Sequence, residues 1–417
     1  MLVTRPRLLF VSPRFLFPMD QGGKIRTGNI LRAMQGGAFD VTLVSPAPPD
    51  CAGYAFDIAG VCGRFIGWPE KPRSSVRRVL ALGSRLPVAA ATDRSAEGRS
   101  VVRQALAERP DVLVVDFPHA DVLLPARVDA ARVMFTHNVE AEIFERHAKR
   151  VRGIRRLVWA DQGRKMARLE QESLARYDSV VAVSDRDRDT LAERYRSPVV
   201  EAVDTGVDLD FFAVNGAESE PDPGADGGTL IFTATMSWAA NVEGIHFLLD
   251  EVWPRLLKVR PQMRAVIIGR NPAASLSDKI RQRRLNVVLT GFVDDIRPCV
   301  AAANVYIIPL FVGSGTRIKA FEAMAMGRPV VSTTLGIEGL DVADGEHFLR
   351  ADNAAEFASA ILALLADASM RARIAGAARR LMEDRFSWSH VAAQFEAICL
   401  RALERRRSSA EGRSRSR

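Results

Sequence analysis

The sequence predicts an α/β protein of two similar halves, each a parallel sheet flanked by helices. Three observations carry that expectation. Short β-branched runs alternate with amphipathic stretches along the whole chain. A segment with almost nothing to bury, 215–228, separates the alternation into two series. And 417 residues exceed what one hydrophobic core usually supports. Ligands of open parallel sheets sit beyond the carboxyl ends of the strands. The expectation is therefore two Rossmann-like domains whose parallel sheets face each other across a cleft.

The first strand reads Arg7 to Val11, followed by a loop holding Gly22-Gly23, a helix from Lys24 to Met34 and a strand at Val41–Ser45. Further apolar runs read as strands at Val112–Val115, Val133–Phe135, Val180–Val183 and Val199–Val203. Between 51 and 108 the pattern reads as loop plus two helices. Gly216, Pro221, Pro223, Gly224, Gly227 and Gly228 among acidic residues mark a linker. The second series places strands at Leu230–Ala234, Ala265–Gly269, Val287–Thr290, Val305–Pro309 and Pro329–Ser332, with closing helices near 353–384 and 388–405. The expected division is a first domain over 1–205, a hinge over 206–228 and a second domain over 229–385. A closing helix over 386–405 and a basic disordered tail over 406–417 complete it.

Composition excludes several classes. Cys51, Cys62, Cys299 and Cys399 lack CxxC spacing, which argues for a reducing compartment and against a disulfide framework or a zinc site. The apolar run Leu8–Val11 is cut short by Pro13 and Arg14, and no run approaches the ~18–20 residues of a membrane span. A soluble or peripheral protein is expected. The net charge of +8 is concentrated at one end: 401–417 hold seven arginines against Glu404 and Glu411. A nucleic-acid partner, which would need basic surface over the folded body, is not expected. The basic tail reads as a solvated end, with anionic lipid headgroups as the functional alternative.

The strongest signal lies after the run Val305–Pro309. Gly313-Ser314-Gly315-Thr316 forms a loop where backbone can approach a ligand, and Thr316 is a fit N-cap for a helix running to Met326. Gly327 ends that helix and Pro329 opens the next strand. A glycine loop opening on a helix N-terminus is a ready phosphate site. Arg317 and Lys319 add positive charge in the first turn, where cations oppose the helix dipole unless an anion neutralises them. Glu322, three residues after Lys319, shares its face and suits a ribose diol. The plainer alternative is two surface cations and a Lys319–Glu322 pair.

This segment resembles the nucleotide-sugar signature of glycosyltransferase family 4, of GT-B architecture, and especially of its exopolysaccharide-associated members. Phe135-Thr136-His137-Asn138, Val183-Ser184, Asp204-Thr205-Gly206-Val207-Asp208 and Thr290-Gly291-Phe292-Val293-Asp294 agree in order and spacing, over roughly 7–400. The resemblance implies a metal-independent hexosyltransferase without a cofactor. Its donor would be a nucleotide diphosphate sugar, its acceptor a glycan or lipid-linked molecule, and its anomeric configuration retained. Polysaccharide biosynthesis on the cytoplasmic side, peripheral to the membrane, is the implied setting.

Residue by residue, Glu322 matches the ribose-binding carboxylate, while Ser314 stands where the family's other motif glutamate would fall. Backbone amides over 313–316 are the expected substitute. Thr235-Met236-Ser237-Trp238 replaces the basic pair that many members use for the diphosphate, leaving that task to Arg317 and Lys319. His137 matches the histidine over the donor sugar, and Gly22-Gly23 gives close backbone access to phosphate or acceptor. His119 is a second candidate, and Asp294-Asp295 reads as a helix start, not a metal pair. Gly22-Gly23 is no GxGxxG fingerprint, so a nicotinamide cofactor lacks support. The basic, apolar-interleaved stretch 146–168 reads as a solvated helix face or as a dock for anionic membrane. Two other readings stay open: a nucleotide-sugar 2-epimerase of the same fold, and a silent nucleotide-sugar-binding protein.

Overall fold

The computed structural model describes residues 5–70, 74–195, 199–213, 227–236, 238–272, 274–312 and 318–415. The chain forms two compact units, Met1–Thr205 with Trp388–Arg417, and Gly206–Ser387.

The first unit is built on seven strands: β1 (Arg7–Val11), β2 (Asp40–Ala47), β3 (Arg64–Pro69), β4 (Val112–Asp116), β5 (Ala131–Phe135), β6 (Ser179–Ala182) and β7 (Val200–Ala202). They pair in the order β3-β2-β1-β4-β5-β6-β7, all parallel, with Phe10 between Leu43 and Val114. Helices on both faces explain why β4 is buried along its whole length and reads as an unbroken apolar run.

The second unit holds β8 (Thr229–Thr233), β9 (Arg264–Ile268), β10 (Val287–Gly291), β11 (Val305–Ile308), β12 (Val330–Ser332) and the two-residue β13 (Leu349–Arg350). Their order is β10-β9-β8-β11-β12-β13, again parallel. Trp253, Tyr306, Phe232, Phe321 and Phe357 fill its core, each almost wholly buried. The strands expected from apolar runs all form, within two residues of the expected ends.

The region 51–108 departs from expectation. It contains β3 and the helices Ala55–Ala59, Ser75–Ala81, Val88–Asp93 and Ala96–Ala107, preceded by a 3-10 turn over Cys51–Tyr54. As an edge strand, β3 buries only Trp68 fully, so no apolar run announces it.

The final helix, Trp388–Arg415, packs on the first unit's sheet. Val391, Phe395, Ile398, Cys399 and Ala402 recur at three- and four-residue spacing and are buried with the core that includes Phe135. The disordered tail expected from 406 is corrected: the helix continues to Arg415. Arg406 pairs with Asp129 at 2.8 Å, and Arg401 and Arg405 flank Glu201. Part of the basic surplus is thus spent on carboxylates of this unit. Among the described residues, no helix is long and apolar enough to cross a membrane.

Candidate functional site

In the first unit, a buried polar cluster lies where β1, β4 and β5 end. β4 finishes at Asp116, the only charged residue of an otherwise aliphatic strand. Ser12, just beyond β1, donates a 3.0 Å hydrogen bond to Asp116 Oδ2, and the Thr27 hydroxyl reaches both carboxylate oxygens at 3.3 Å. His137, two residues past β5, places Nε2 2.6 Å from Asp116 Oδ1. Its Nδ1 faces Arg26 Nη1 at 3.2 Å. A guanidinium only donates, so Nδ1 accepts and the proton sits on Nε2. Arg26 is anchored in turn by its Nε on the Thr205 hydroxyl at 3.1 Å.

Burial sets the electrostatics of this chain. It lowers the His137 pKa, against the attraction of the Asp116 carboxylate, so the imidazole is neutral at pH 7. It also brings Arg26 down to about 10, opposed by Asp187 and Asp116. Both nitrogens of His137 are engaged within the protein, and the ring is sandwiched by aromatics. Phe117 stacks on it at 4.2 Å between centroids, and Phe135 lies at 4.5 Å. Phe117 adopts φ 69°, a left-handed backbone rare for an aromatic residue, and this turns its ring onto His137. His119 stacks on the Phe117 ring at 5.1 Å between centroids and lies 2.9 Å from Asp93.

The helix Gly22–Ala33 begins at the glycine pair itself, two residues earlier than expected. Its first internal bond runs from Ile25 N–H to the Gln21 carbonyl, so the preceding N–H groups are not used by the helix. Gly23 is required by packing: a Cβ there would lie 2.9 Å from the Phe117 ring and 3.8 Å from His137 Nδ1. Beside it a pocket of about 380 Å³ opens beyond β1, β2 and β3, lined by Arg14, Gln21, Lys24, Tyr54 and Glu70. Arg14 reaches Gln21 Oε1 at 3.2 Å and lies 5.4 Å from the Phe117 ring centre.

In the second unit, the helix Ile318–Ala325 follows β11 and presents Lys319 and Glu322. Gly313, Ser314, Gly315, Thr316 and Arg317 lie outside the described residues. Lys319 Nζ donates to Asn241 Oδ1 at 3.1 Å and sits 4.6 Å from the centre of the Phe232 ring. Asn241 uses its amide to bond the Thr235 carbonyl at 2.9 Å, tying the turn after β8 to the lysine. Glu322 is half-buried, and burial raises its pKa while Lys319 pulls it down. Among the described residues, no hydrogen bond is made to its carboxylate. Asp295 accepts from Arg297 through its backbone and guanidinium at 2.8–2.9 Å, ahead of the helix Arg297–Ala301.

Of the residues expected from the sequence, His137 and Gly23 meet in the cluster of the first unit, and Lys319 and Glu322 share one helix of the second; Ser12, Arg26, Thr27 and Asp116 are not among those expected. A signal existed for Arg26 and Thr27: they precede Ile30 and Leu31 by four residues and so share the buried face.

The two parallel-sheet units define a GT-B protein. Over 94% of this chain and 99% of the other, the fold superposes on Anabaena HepE, solved with UDP and glucose, at TM-score 0.63 and 16% identity. Over 97% of this chain and 100% of the other, it superposes on sucrose-phosphate synthase of Thermosynechococcus elongatus at TM-score 0.65 and 16% identity. Residues 21–211 match the model described as Glycosyltransferase Family 4, and 227–367 that described as Glycosyl transferases group 1. The chain belongs to glycosyltransferase family 4. It is also similar to a phosphatidyl-myo-inositol mannosyltransferase of Mycobacterium tuberculosis, 31% identical over 226 residues, covering 52% of this chain. That match spans 58% of the relative's length.

Proposed function

We propose that the protein transfers a hexose-type sugar from a nucleoside diphosphate donor to a hydroxyl of a glycan or lipid-linked acceptor, with retention and without a metal ion. The observation that carries this reading is Glu322. It is a half-buried carboxylate whose hydrogen-bonding capacity the described residues leave unused, one helical turn from a lysine fixed by Asn241. A ribose diol would supply two donors to that carboxylate, and the diphosphate would meet the Lys319 ammonium. The family match and the UDP held by the similar Anabaena protein support the donor class.

In the transfer, the bond from the anomeric carbon to the β-phosphate oxygen breaks, and its electron pair leaves with the diphosphate. The acceptor oxygen bonds to that carbon, and its proton passes to the departing phosphate. Lys319, with Arg317 from its place in the sequence, would stabilise the charge that develops on the diphosphate. His137 would act by position: with both nitrogens engaged, it fixes Phe117 and the glycine-led helix start beside the donor sugar. Gly22 and Gly23 would give close backbone access to phosphate or acceptor, and Gly313–Thr316, from their place in the sequence, would offer backbone amides to the diphosphate. Exopolysaccharide or cell-envelope polysaccharide synthesis at the inner face of the membrane is the setting this reading favours.

The test is calorimetry with UDP, GDP, ADP and dTDP on the full chain, followed by transfer assays with the corresponding hexose donors. One diphosphate should bind, and Arg317→Ala should lower transfer by roughly 10²-fold. No heat from any of the four, in protein that melts cooperatively, would overturn the reading. Donor consumed without an acceptor, giving an epimer, would replace it with the epimerase.

A further inference from the structure

One surface of the first unit breaks the rule that an amphipathic helix buries its apolar side. The helix Ser75–Ala81 has no buried residue. Its sequence Val76-Arg77-Arg78-Val79-Leu80 places Val76, Val79 and Leu80 on one face, at spacings of three and four. The start of the helix Ile154–Leu174 repeats the design: Ile154-Arg155-Arg156-Leu157-Val158. Val76, Val79, Leu80, Ile154 and Leu157 are between 64% and 77% exposed, and apolar side chains grouped in this way on a surface mark an interaction site.

These two segments border one cavity of about 670 Å³, lined by Arg78, Val79, Leu82, Phe144, Val158 and Trp159 among others. The Trp159 indole stacks on His147 at 4.6 Å and lies 5.7 Å from Phe144, forming an aromatic wall. The helices are tied together where Lys165 donates to the Leu82 carbonyl at 2.8 Å. No carboxylate among the described residues pairs with Arg77, Arg78, Arg155 or Arg156, all exposed.

We propose that this face is a docking site for an anionic phospholipid bilayer, in which the exposed aliphatic side chains enter the headgroup boundary and an acyl chain occupies the cavity beside Trp159. Charge complementarity selects the occupant. Paired arginines beside exposed aliphatics are what an anionic interface rewards, because phosphate headgroups meet the guanidinium groups while the hydrocarbon boundary takes the apolar face. The proposal rests on the transferase reading only for its purpose, bringing the enzyme to a lipid-linked acceptor; the docking itself needs no nucleotide.

The experiment uses the full chain and vesicles of phosphatidylglycerol with phosphatidylcholine, against pure phosphatidylcholine, at physiological salt. Sedimentation should show binding to the first and little to the second. Val79→Asp and Leu157→Asp should each lower binding about tenfold or more, and each arginine-to-serine change about fivefold. Their thermal melts should be unchanged, since these side chains are exposed. Phospholipids brominated on the acyl chain should quench tryptophan emission in the parent and not in Trp159→Phe. Unchanged binding in the aspartate variants, equal binding to neutral vesicles, or no quenching that depends on Trp159 overturns the proposal. So does a dimer abolished by Val79→Asp in a protein that ignores vesicles, which would make the face a self-interface. Vesicle binding with no nucleotide heat sinks the transferase reading and leaves docking standing, and the reverse result does the opposite.

Discussion

His137 Nε2 lies 2.6 Å from Asp116 Oδ1, and both side chains are only 2% exposed. The pair is the centre of a network in which Ser12, Thr27 and His137 all share one carboxylate. Removing that carboxylate would strand three buried donors, each costing about 1–3 kcal/mol. Asp116→Ala should therefore destabilise the first unit by about 3 kcal/mol or more in urea unfolding. A loss below about 1 kcal/mol would mean that the network contributes little.

The lowered pKa of His137 also makes a pH prediction. Above about 6.5, its ordinary value, imidazole is neutral in both folded and unfolded chains, and the full stability is present. Below that, the unfolded chain takes up the proton first, so stability falls as pH drops toward the folded value and then levels off. His137→Gln should flatten this acid limb, measured as unfolding free energy between about pH 5 and 7.

Glu170 opposes that trend in part of the same window. Burial, with some repulsion from Glu140, raises its pKa from 4.5 to about 7, against hydrogen bonds from Tyr195 and the N–H groups of Ala141 and Glu140. The folded state thus holds the proton more tightly than the unfolded one. Its contribution is fully present below 4.5 and is lost as pH rises through about 7. Relative to the parent, Glu170→Gln should gain about 3 kcal/mol between the two ends of that range. A difference that stays constant with pH would show that Glu170 is already ionised in the fold.

Lys319 and Glu322 supply a test on binding. If Glu322 accepts a ribose diol as carboxylate, Glu322→Gln should weaken nucleotide diphosphate binding about 10- to 100-fold, the range for a hydrogen bond to a charged group. Because burial raises the Glu322 pKa, affinity in the parent should also fall as pH is lowered through that raised value, and the glutamine variant should lack this limb. Calorimetry across pH checks both. Lys319→Met should lower affinity too while retaining the pH limb.

The fold was legible because its strands are buried on both faces: Val112–Asp116 is wholly enclosed, and such a strand must be an apolar run. The same logic hid β3, an edge strand with only Trp68 fully buried. It also hid the helix Ser75–Ala81, whose apolar residues face outward. Local motifs pointed to Lys319 and Glu322, which lie on one helix. Asp116 and Arg26 were invisible because their partners stand 21 to 179 residues away along the chain. The β1-β4-β5 pairing brings Asp116 to Ser12 and His137, and the helix after β1 carries Arg26 to Thr205 beyond β7. The continuation of the last helix past 405 is hidden for a different reason: its arginines read as a solvated run, and the Asp129 that pairs with Arg406 lies far away along the chain.

Gly244 offers a test in which helix propensity and packing have opposite signs. It sits in the helix Ala239–Phe247, where alanine would ordinarily add up to about 1 kcal/mol. A Cβ there, however, would lie 2.0 Å from the Pro309 carbonyl oxygen, a backbone atom that no rotamer can move aside. The helix would have to lift from the strand end. Gly244→Ala should therefore destabilise the second unit by about 1–3 kcal/mol. Because Asn241 on the same helix holds both the Thr235 carbonyl and Lys319, nucleotide affinity should fall in parallel. Gly376, in the helix Ala368–Arg385, is the control: the nearest atom to its added Cβ is the mobile tip of Arg380 at 3.5 Å. Gly376→Ala should stabilise by about 0.5–1 kcal/mol and leave binding alone. Equal effects of the two substitutions in urea unfolding would show that propensity, not the contact with Pro309, governs position 244.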